Sequence, residues 1–418
     1  MTNRTGSDRT AVEWVSRCPR CALVTPLDDG VTGCPRCAAD GVGMPMTPHR
    51  AAGPPPTRPE PVPPPGLGPM WRWAAHLVPV GRPVSLGEGG TPLVNLDLPG
   101  VPGRILVKDE RANPTGSFKD RLASAAVSRA RSLGADTVAV ASSGNAGLAV
   151  AAYAATAGLD AVLLATGTLP SGTAATVTAL GARVYLTETF PDRWTAVRTG
   201  VERLGWFPVT NYRLPPVASH PAGVHAYRTI AFEIAESLGW SVPDWVVVPV
   251  SRGDGLFGVW SGFVELARLG WTDRVPRMLA VERFPSLTDA LARGVDQPVG
   301  MPIDGPVRAT SISDPQGTAM AVHTIRSSGG DVVRCDDEQL AVAWSRLAGR
   351  GHLVEFSSAA AAHGVDELAR SGRLDAGSTA VLLVTAADRG ERPPAAGPLA
   401  ATVRHLPDPT DLAVLGGG

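Results

Sequence analysis

Lysine is almost missing from this chain. Of its 38 Lys and Arg residues, only Lys108 and Lys119 are lysine. Arginine carries the positive charge everywhere else, so a retained lysine points to a task that arginine cannot perform. The clearest such task is an amine that sheds its proton and condenses with a carbonyl, because arginine stays charged and is a poor nucleophile. A charge excess is missing too. The formal net charge is −1, so no basic footprint argues for nucleic acid. The first eight residues, Met1 to Asp8, hold no apolar run, and no signal peptide is expected. The long apolar stretches are broken by Ser, Gly, Asn or Asp every few residues, so no membrane span is expected. Together these absences predict a cytoplasmic chain.

Cysteine is scarce, five in 418 residues, yet four of the five form a pattern. Cys18-Pro19-Arg20-Cys21 and Cys34-Pro35-Arg36-Cys37 lie twelve residues apart. Each C-x-x-C is a tight knuckle that turns two thiolates toward one ion, and the spacing fits a small zinc ribbon with a closed, structural site. Two disulfides are the alternative, disfavoured in a cytosolic chain. A redox pair would need a βαβ context that is absent here. Cys335 reads as an ordinary structural cysteine. The expected organisation is a zinc-ribbon-like segment over 1–50, a Pro-rich linker over 51–70, a catalytic body over 71–392 and a flexible tail over 393–418. Proline at the linker's density forbids helix and favours an extended, semi-rigid spacer. Hydrophobic residues make up 44% and charged residues 18%, which suits a large buried core.

Within the body, one stretch organises the rest. Asn113-Pro114-Thr115-Gly116-Ser117-Phe118-Lys119-Asp120-Arg121 reads as a turn feeding a helix. Pro114 and Gly116 punctuate the loop, and Ser117 can cap the helix. Downstream, Thr137–Ala141, Ala161–Ala165, Arg183–Leu186, Trp245–Val250 and Ala380–Thr385 are continuous apolar runs, several of them followed by helical sequence. That βαβ rhythm predicts parallel sheets with right-handed crossovers. Two polar turns sit where such a strand meets a helix N-terminus: Ser142-Ser143-Gly144-Asn145 and Ser251-Arg252-Gly253-Asp254-Gly255. Backbone N–H groups and the helix dipole make each of them an anion site.

The run Val107–Arg121 resembles the cofactor-lysine segment of threonine synthase, a family of fold type II, tryptophan-synthase-β-like pyridoxal-phosphate enzymes. The similarity covers about Trp71 to Gly390. The resemblance implies two doubly wound parallel-sheet subdomains, the smaller and mobile one over about 122–218. It implies that Lys119 is the internal aldimine and that Asn145 meets the ring hydroxyl of the cofactor. Ser142, Ser143 and Gly144 would hold the substrate carboxylate, Ser251 to Gly255 the 5′-phosphate, and Thr385 the pyridine nitrogen. It also implies an amino acid substrate and a homodimer. Ser85–Val94 and Gly351–Ala360 resemble further family segments, the second bringing Glu355 near the cofactor.

The chain departs from the family in three stretches. The usual E-G-x-K-T before one helix has become Ala226-Tyr227-Arg228-Thr229, with His225 beside it, read as a satisfied structural histidine more than as a proton shuttle. The phosphate loop carries Arg252 and Asp254. Arg252 would add a bond to the phosphate, and Asp254 would face outward or pair with Arg252. The stretch after the last strand is Thr385-Ala386-Ala387-Asp388. The resemblance implies a threonine-synthase-like lyase acting on an activated hydroxy amino acid, with O-phosphohomoserine a candidate. A serine or threonine dehydratase, or a cysteine- or cysteate-synthase-like replacement enzyme, is the alternative. A non-catalytic scaffold is the third reading, and it would need neither Lys119 nor Asn145.

Overall fold

The computed structural model describes residues 12–388, apart from 168, 304 and 306, and residues 403–416. The N-terminal unit is a three-stranded antiparallel sheet. It contains β1 (Glu13–Arg17), β2 (Val24–Pro26) and β3 (Thr47–Ala52) in the order β2-β1-β3, with a short helix α1 (Pro35–Ala39) before β3. Cys18 and Cys21 lie between β1 and β2, and Cys34 and Cys37 lie at the start of α1.

The body alternates strand and helix. Its first elements are β4 (Leu93–Asn95), β5 (Arg104–Asp109), α2 (Lys119–Ser132), β6 (Thr137–Ala141), α3 (Asn145–Ala157), β7 (Asp160–Thr166) and α4 (Ser171–Ala179). Next come β8 (Arg183–Thr187), α5 (Phe190–Leu204), β9 (Phe207–Pro208), α6 (Pro221–Ala226), α7 (Arg228–Ser237), β10 (Trp245–Val250) and α8 (Asp254–Arg268). The last are β11 (Arg277–Glu282), α9 (Ser286–Ala292), α10 (Ala319–Ser327), β12 (Asp331–Arg334), α11 (Asp337–Ala348), α12 (Ala360–Arg370), β13 (Thr379–Val384), β14 (Val403–His405) and α13 (Leu412–Gly416). A six-stranded sheet has the order β12-β11-β10-β13-β5-β4, parallel except for β4. A five-stranded parallel sheet has the order β14-β8-β7-β6-β9. Helices cover both faces, which is why the central strands are apolar without alternation: every residue of β10 is buried.

Two expectations about the ends of the chain are corrected. The ribbon is not held apart by its linker. Cys18, Cys34, Cys37, Met44 and Met46 share one apolar cluster with Ala218, Val224, Phe257, Ala319 and Met320 of the body. Arg20 Nε donates to Asp296 Oδ2 at 2.8 Å, Gly43 N donates to Gln297 Oε1 at 2.8 Å, and Arg129 grips both oxygens of Asp29. The linker lies along the body, where the Arg58 guanidinium sits 4.0 Å from the centre of the Trp240 ring. An extended, proline-rich strand has few N–H groups to satisfy, so it can line a surface as readily as span a gap.

The second correction concerns the tail. Residues 389–402 lie outside the described residues, but 403–416 are not a loose end. β14 pairs with β8 at the edge of the five-stranded sheet, and Leu406 and Leu415 are buried against Tyr185 and Trp194. Tyr185 Oη donates to Val414 O at 3.1 Å. The proline and glycine content of the stretch masked two apolar anchors.

Candidate active site

The loop before α2 is held by its own side chains. Asp120 reaches back to accept from Thr115 N at 3.0 Å and Thr115 Oγ1 at 2.7 Å. Burial pushes the Asp120 carboxyl up to about 6, against the hydrogen bonds from Thr115. Phe118 occupies the N-cap position, so Ser117 is not the cap that its residue type suggested. Ser117 Oγ is buried with no partner. The loop is pinned to the end of β13, where Phe118 N donates to Thr385 O at 2.9 Å and Ala387 N donates to Gly116 O at 2.9 Å.

The two lysines have opposite surroundings. Lys108 is fully buried, and its Nζ donates to Glu233 Oε2 at 2.6 Å and to Thr91 O at 2.7 Å. Glu233 also receives Arg121 NH1 at 2.6 Å, and Arg121 Nε donates to Glu110 at 2.8 Å. Burial alone would raise the Glu233 carboxyl, but Arg121 and Lys108 outweigh it and hold the group well below the usual range. Lys108 is therefore part of a structural network with Glu233, Arg121 and Glu110. The Lys119 side chain has no hydrogen bond or ion pair to another described residue. Its Nζ stands 4.3 Å from the centre of the Phe118 ring and 5.7 Å from that of Tyr227, whose rings stack on each other. Desolvation lowers the pKa of the Lys119 amine, Arg252 adds to the lowering, and Asp254 and Glu355 oppose it.

Around this amine the fold gathers three of the expected segments. The β6–α3 turn carries Ser142, Ser143 and Gly144, with Ser142 Oγ accepting from Gly144 N at 3.2 Å. Asn145 opens α3, and its amide donates to Glu355 Oε2 at 2.6 Å and to Ser311 Oγ at 3.3 Å. The β10–α8 turn carries Ser251 to Gly255. Gly253 has φ +101°, and a Cβ there would lie 2.5 Å from Ala321 Cβ. A Cβ on Gly255 would lie 2.8 Å from the Phe118 ring. Only glycine allows this backbone to lie so close to the lysine loop. Thr385 Oγ1 lies 2.7 Å from Ser358 Oγ, so a hydroxyl pair sits beside the strand end that anchors Phe118.

Two charges in the β10–α8 turn behave differently from expectation. Asp254 neither faces outward nor pairs with Arg252. It is buried and accepts from Ser219 Oγ at 2.6 Å, because α8 turns its first residue toward the segment before α6. Arg252 turns away from the glycines. Its Nε donates to Asp314 Oδ2 at 2.5 Å, and its guanidinium lies 4.4 Å from the centre of the Trp194 ring. His225 is not a satisfied histidine: both ring nitrogens are buried without a hydrogen-bond partner, beside a narrow crevice between ribbon and body, and burial holds its pKa well below the ordinary value. Sequence reasoning missed Ser311, Ser358 and Tyr227. Ser311 carries no local signal, and Ser358 lay within the Gly351–Ala360 segment without being singled out. Tyr227 was visible only as a departure at a helix start.

At the ribbon, Cys18 Sγ lies 3.6 Å from Cys37 Sγ, and Cys21 Sγ lies 3.5 Å from Cys34 Sγ. All four sulfurs fall within 4.8 Å of one another. Among the described residues, no helix is long and apolar enough to cross a membrane.

A buried amine free of carboxylate bonds, a glycine cradle beside it and a hydroxyl pair fit a phosphorylated aldehyde cofactor. The chain belongs to the family of pyridoxal-phosphate-dependent enzymes, whose pattern it matches over residues 84–386, and it has the tryptophan-synthase-β-like fold. Within that class it is similar to threonine synthases. It is 36% identical over 330 residues to the threonine synthase of Methanosarcina acetivorans, covering 76% of this chain and 78% of that one. To the threonine synthase of Methanocaldococcus jannaschii it is 34% identical over 331 residues, covering 76% and 79%. The fold is shared with a fungal L-serine ammonia-lyase from Rhizomucor miehei, at TM-score 0.60 and 23% identity over 73% of this chain and 95% of that one. Maize serine racemase shares it too, at TM-score 0.62 and 21% identity over 72% and 88%.

Proposed function

We propose that this chain holds pyridoxal phosphate on Lys119 and acts as a threonine-synthase-type lyase on an amino acid with an activated side-chain hydroxyl, with O-phosphohomoserine as the candidate substrate. The observation that carries the reading is the contrast between the two lysine side chains: Lys108 donates to Glu233 and Thr91, and the Lys119 amine has no polar partner among the described residues. Gly253 to Gly255 would hold the 5′-phosphate, and Asn145, whose Oδ1 has no protein partner among the described residues, would meet the ring hydroxyl. Thr385 and Ser358 would face the ring nitrogen with neutral hydroxyls. Bound, the cofactor supplies an electron sink for a carbanion at the substrate α carbon.

The protein's part follows from its own groups. Desolvation keeps the Lys119 amine free to take a proton from the α carbon and to return one. The backbone of Ser142 to Gly144, at the N-terminus of α3, suits the substrate carboxylate. Neutral Thr385 cannot keep a proton on the ring nitrogen as an aspartate would. With the cofactor bound, such a neutral partner would favour loss of a leaving group over transamination. The purified protein is expected to absorb in the visible, to be fixed by borohydride on Lys119, and to lose both properties in Lys119→Ala. A borohydride-stable adduct on Lys108 in that variant would sink the assignment. A substrate panel read for phosphate, ammonia and keto acid then separates a threonine-synthase-type reaction from a dehydratase.

The ribbon is proposed to hold one structural zinc on Cys18, Cys21, Cys34 and Cys37. Tetrahedral bonds of about 2.3 Å would set the sulfurs about 3.8 Å apart, close to the 3.5 and 3.6 Å pairs seen. Metal analysis of protein made under reducing conditions checks this, and an absence of zinc there counts against it. The homodimer is proposed on the family resemblance and is checked by light scattering.

A further inference from the structure

The short segment after β13 is bordered on both sides. On one side lies the lysine loop, through Phe118 N to Thr385 O and Ala387 N to Gly116 O, each at 2.9 Å. On the other side lies the stretch before α12. There Glu355 N donates to Ala386 O at 3.0 Å, and Val354 bridges Ala387. Ser358 Oγ accepts from Ala386 N at 2.9 Å and closes the stretch onto the same segment. Backbone bonds therefore fix the lysine loop and Glu355 relative to each other, both on the six-stranded side. Asn145 comes from elsewhere. It opens α3, the helix that follows β6 of the five-stranded sheet.

The side chain of Glu355 crosses this junction. Its Oε2 accepts from Asn145 Nδ2 at 2.6 Å, and its Oε1 accepts from Ser311 Oγ. Ser311 braces the arrangement. It accepts from Asn145 Nδ2 at 3.3 Å, and its backbone N donates to Ser357 Oγ at 3.1 Å. A Cβ on Gly144 would lie 3.9 Å from Ser311 Oγ, so the hydroxyl also stands over the β6–α3 turn. A carboxylate oxygen that receives an amide N–H fixes which end of the amide faces it. The NH2 end of Asn145 is thus turned to Glu355. An asparagine without such a partner would sample several rotamers, and a ligand would have to freeze one of them on binding. Here the side chain is ordered in advance. We infer that Glu355 is a positioning residue: acting through Asn145, it holds the first residue of α3 in register with Lys119 across the two sheets, so that both meet one cofactor ring. The inference rests on the active-site reading above and deepens it by giving Glu355 and Ser311 a task in that site. Glu355 also acts on Lys119 through its field, which opposes the desolvation of the amine together with that of Asp254, against Arg252. That field and the contact with Asn145 are separable, because shortening the side chain breaks the contact and keeps the charge.

The test is a double-mutant cycle on the full chain, read by absorbance titration with pyridoxal phosphate and by visible circular dichroism per bound cofactor, which reports how the ring is held. Glu355→Ala deletes a charge-assisted bond and should weaken cofactor binding about tenfold. It should also reduce the dichroism, while borohydride still fixes the cofactor on Lys119. Glu355→Asp keeps the charge but is one methylene short of Asn145, and it should weaken binding by as much. Glu355→Gln keeps a carbonyl acceptor for Asn145 and lets the Ser311 hydroxyl turn to accept from its amide. It should restore affinity to within about threefold of the parent. The double variant Asn145→Ala, Glu355→Ala should bind no more weakly than Asn145→Ala alone, since residues that act through one another are not additive. Glu355→Asp carries the same cycle if the truncated variant does not fold. Parent-like affinity and dichroism in Glu355→Asp overturns the positioning role. So does a double variant in which the two losses multiply, because Glu355 would then act apart from Asn145. A failure of the active-site reading is seen separately, as a cofactor adduct that persists in Lys119→Ala.

Discussion

At the scale of single residues, the site rests on the contrast between one buried amine with polar partners and one without. Lys108 has a carboxylate and a carbonyl as partners in a dry interior. Lys119 has only aromatic faces nearby, so desolvation works on it with little repayment from paired charge. The direction has two consequences for pH. Below its ordinary value of 10.5, the folded Lys119 amine binds fewer protons than its unfolded counterpart. Apoprotein stability should therefore rise with pH from the lowered pKa toward 10.5 and level off above it, through this group. The rate of cofactor attachment should rise with pH and flatten at the lowered value. Stopped-flow absorbance across pH would show this, and a rise continuing to 10.5 would mean that Lys119 is not desolvated in solution. A second residue-scale test concerns Gly253, held at φ +101° against Ala321. Gly253→Ala forces strain of about 1–3 kcal/mol or a shift of the loop, so pyridoxal phosphate affinity should fall about tenfold. Pyridoxal, which lacks the phosphate, should bind variant and parent about equally in the same titration.

At the scale of elements, the ribbon is the part whose role changes most. Proline density suggested a spacer, and a spacer would leave the ribbon free to lose its metal without consequence for the body. The packing argues otherwise. Met44, Met46 and three of the cysteines share an apolar cluster with Phe257 in the first turn of α8, and that helix begins at the glycine cradle. Arg20 links the ribbon to Asp296 of the body and also donates to Cys37 Sγ at 3.7 Å. Chelation of the metal, or Cys37→Ser, should therefore weaken pyridoxal phosphate binding. Coupling of about 0.5–2 kcal/mol through packed side chains corresponds to roughly twofold to thirtyfold in affinity. Cofactor titration before and after chelation checks it, and an unchanged affinity would restore the picture of an uncoupled ribbon.

At the scale of the whole molecule, the edge of the five-stranded sheet is closed by a strand from the far end of the chain. Leu406 and Leu415 are buried there, and burying two leucines contributes about 3–6 kcal/mol. Deleting residues 403–418 should lower stability by about that amount, read from the denaturation midpoint, and should expose Tyr185. The sequence alone determined what is local or periodic. The lysine loop, the two strand–turn–helix junctions and the parallel strands were legible because composition and 2.0 or 3.6 periodicity act within a few residues. The cysteine knuckles were legible because their spacing is itself the geometry. Only the tertiary structure decided which groups meet across long stretches of chain. Asn145 finds Ser311 across 166 positions and Glu355 across 210; Asp254 chooses Ser219 over the neighbouring Arg252; Arg252 chooses Asp314; and the ribbon chooses the body over solvent. In each case the residue types allowed several partners of similar worth. The choice was made by which backbone segments the two sheets and their helices bring together, and no local pattern encodes that.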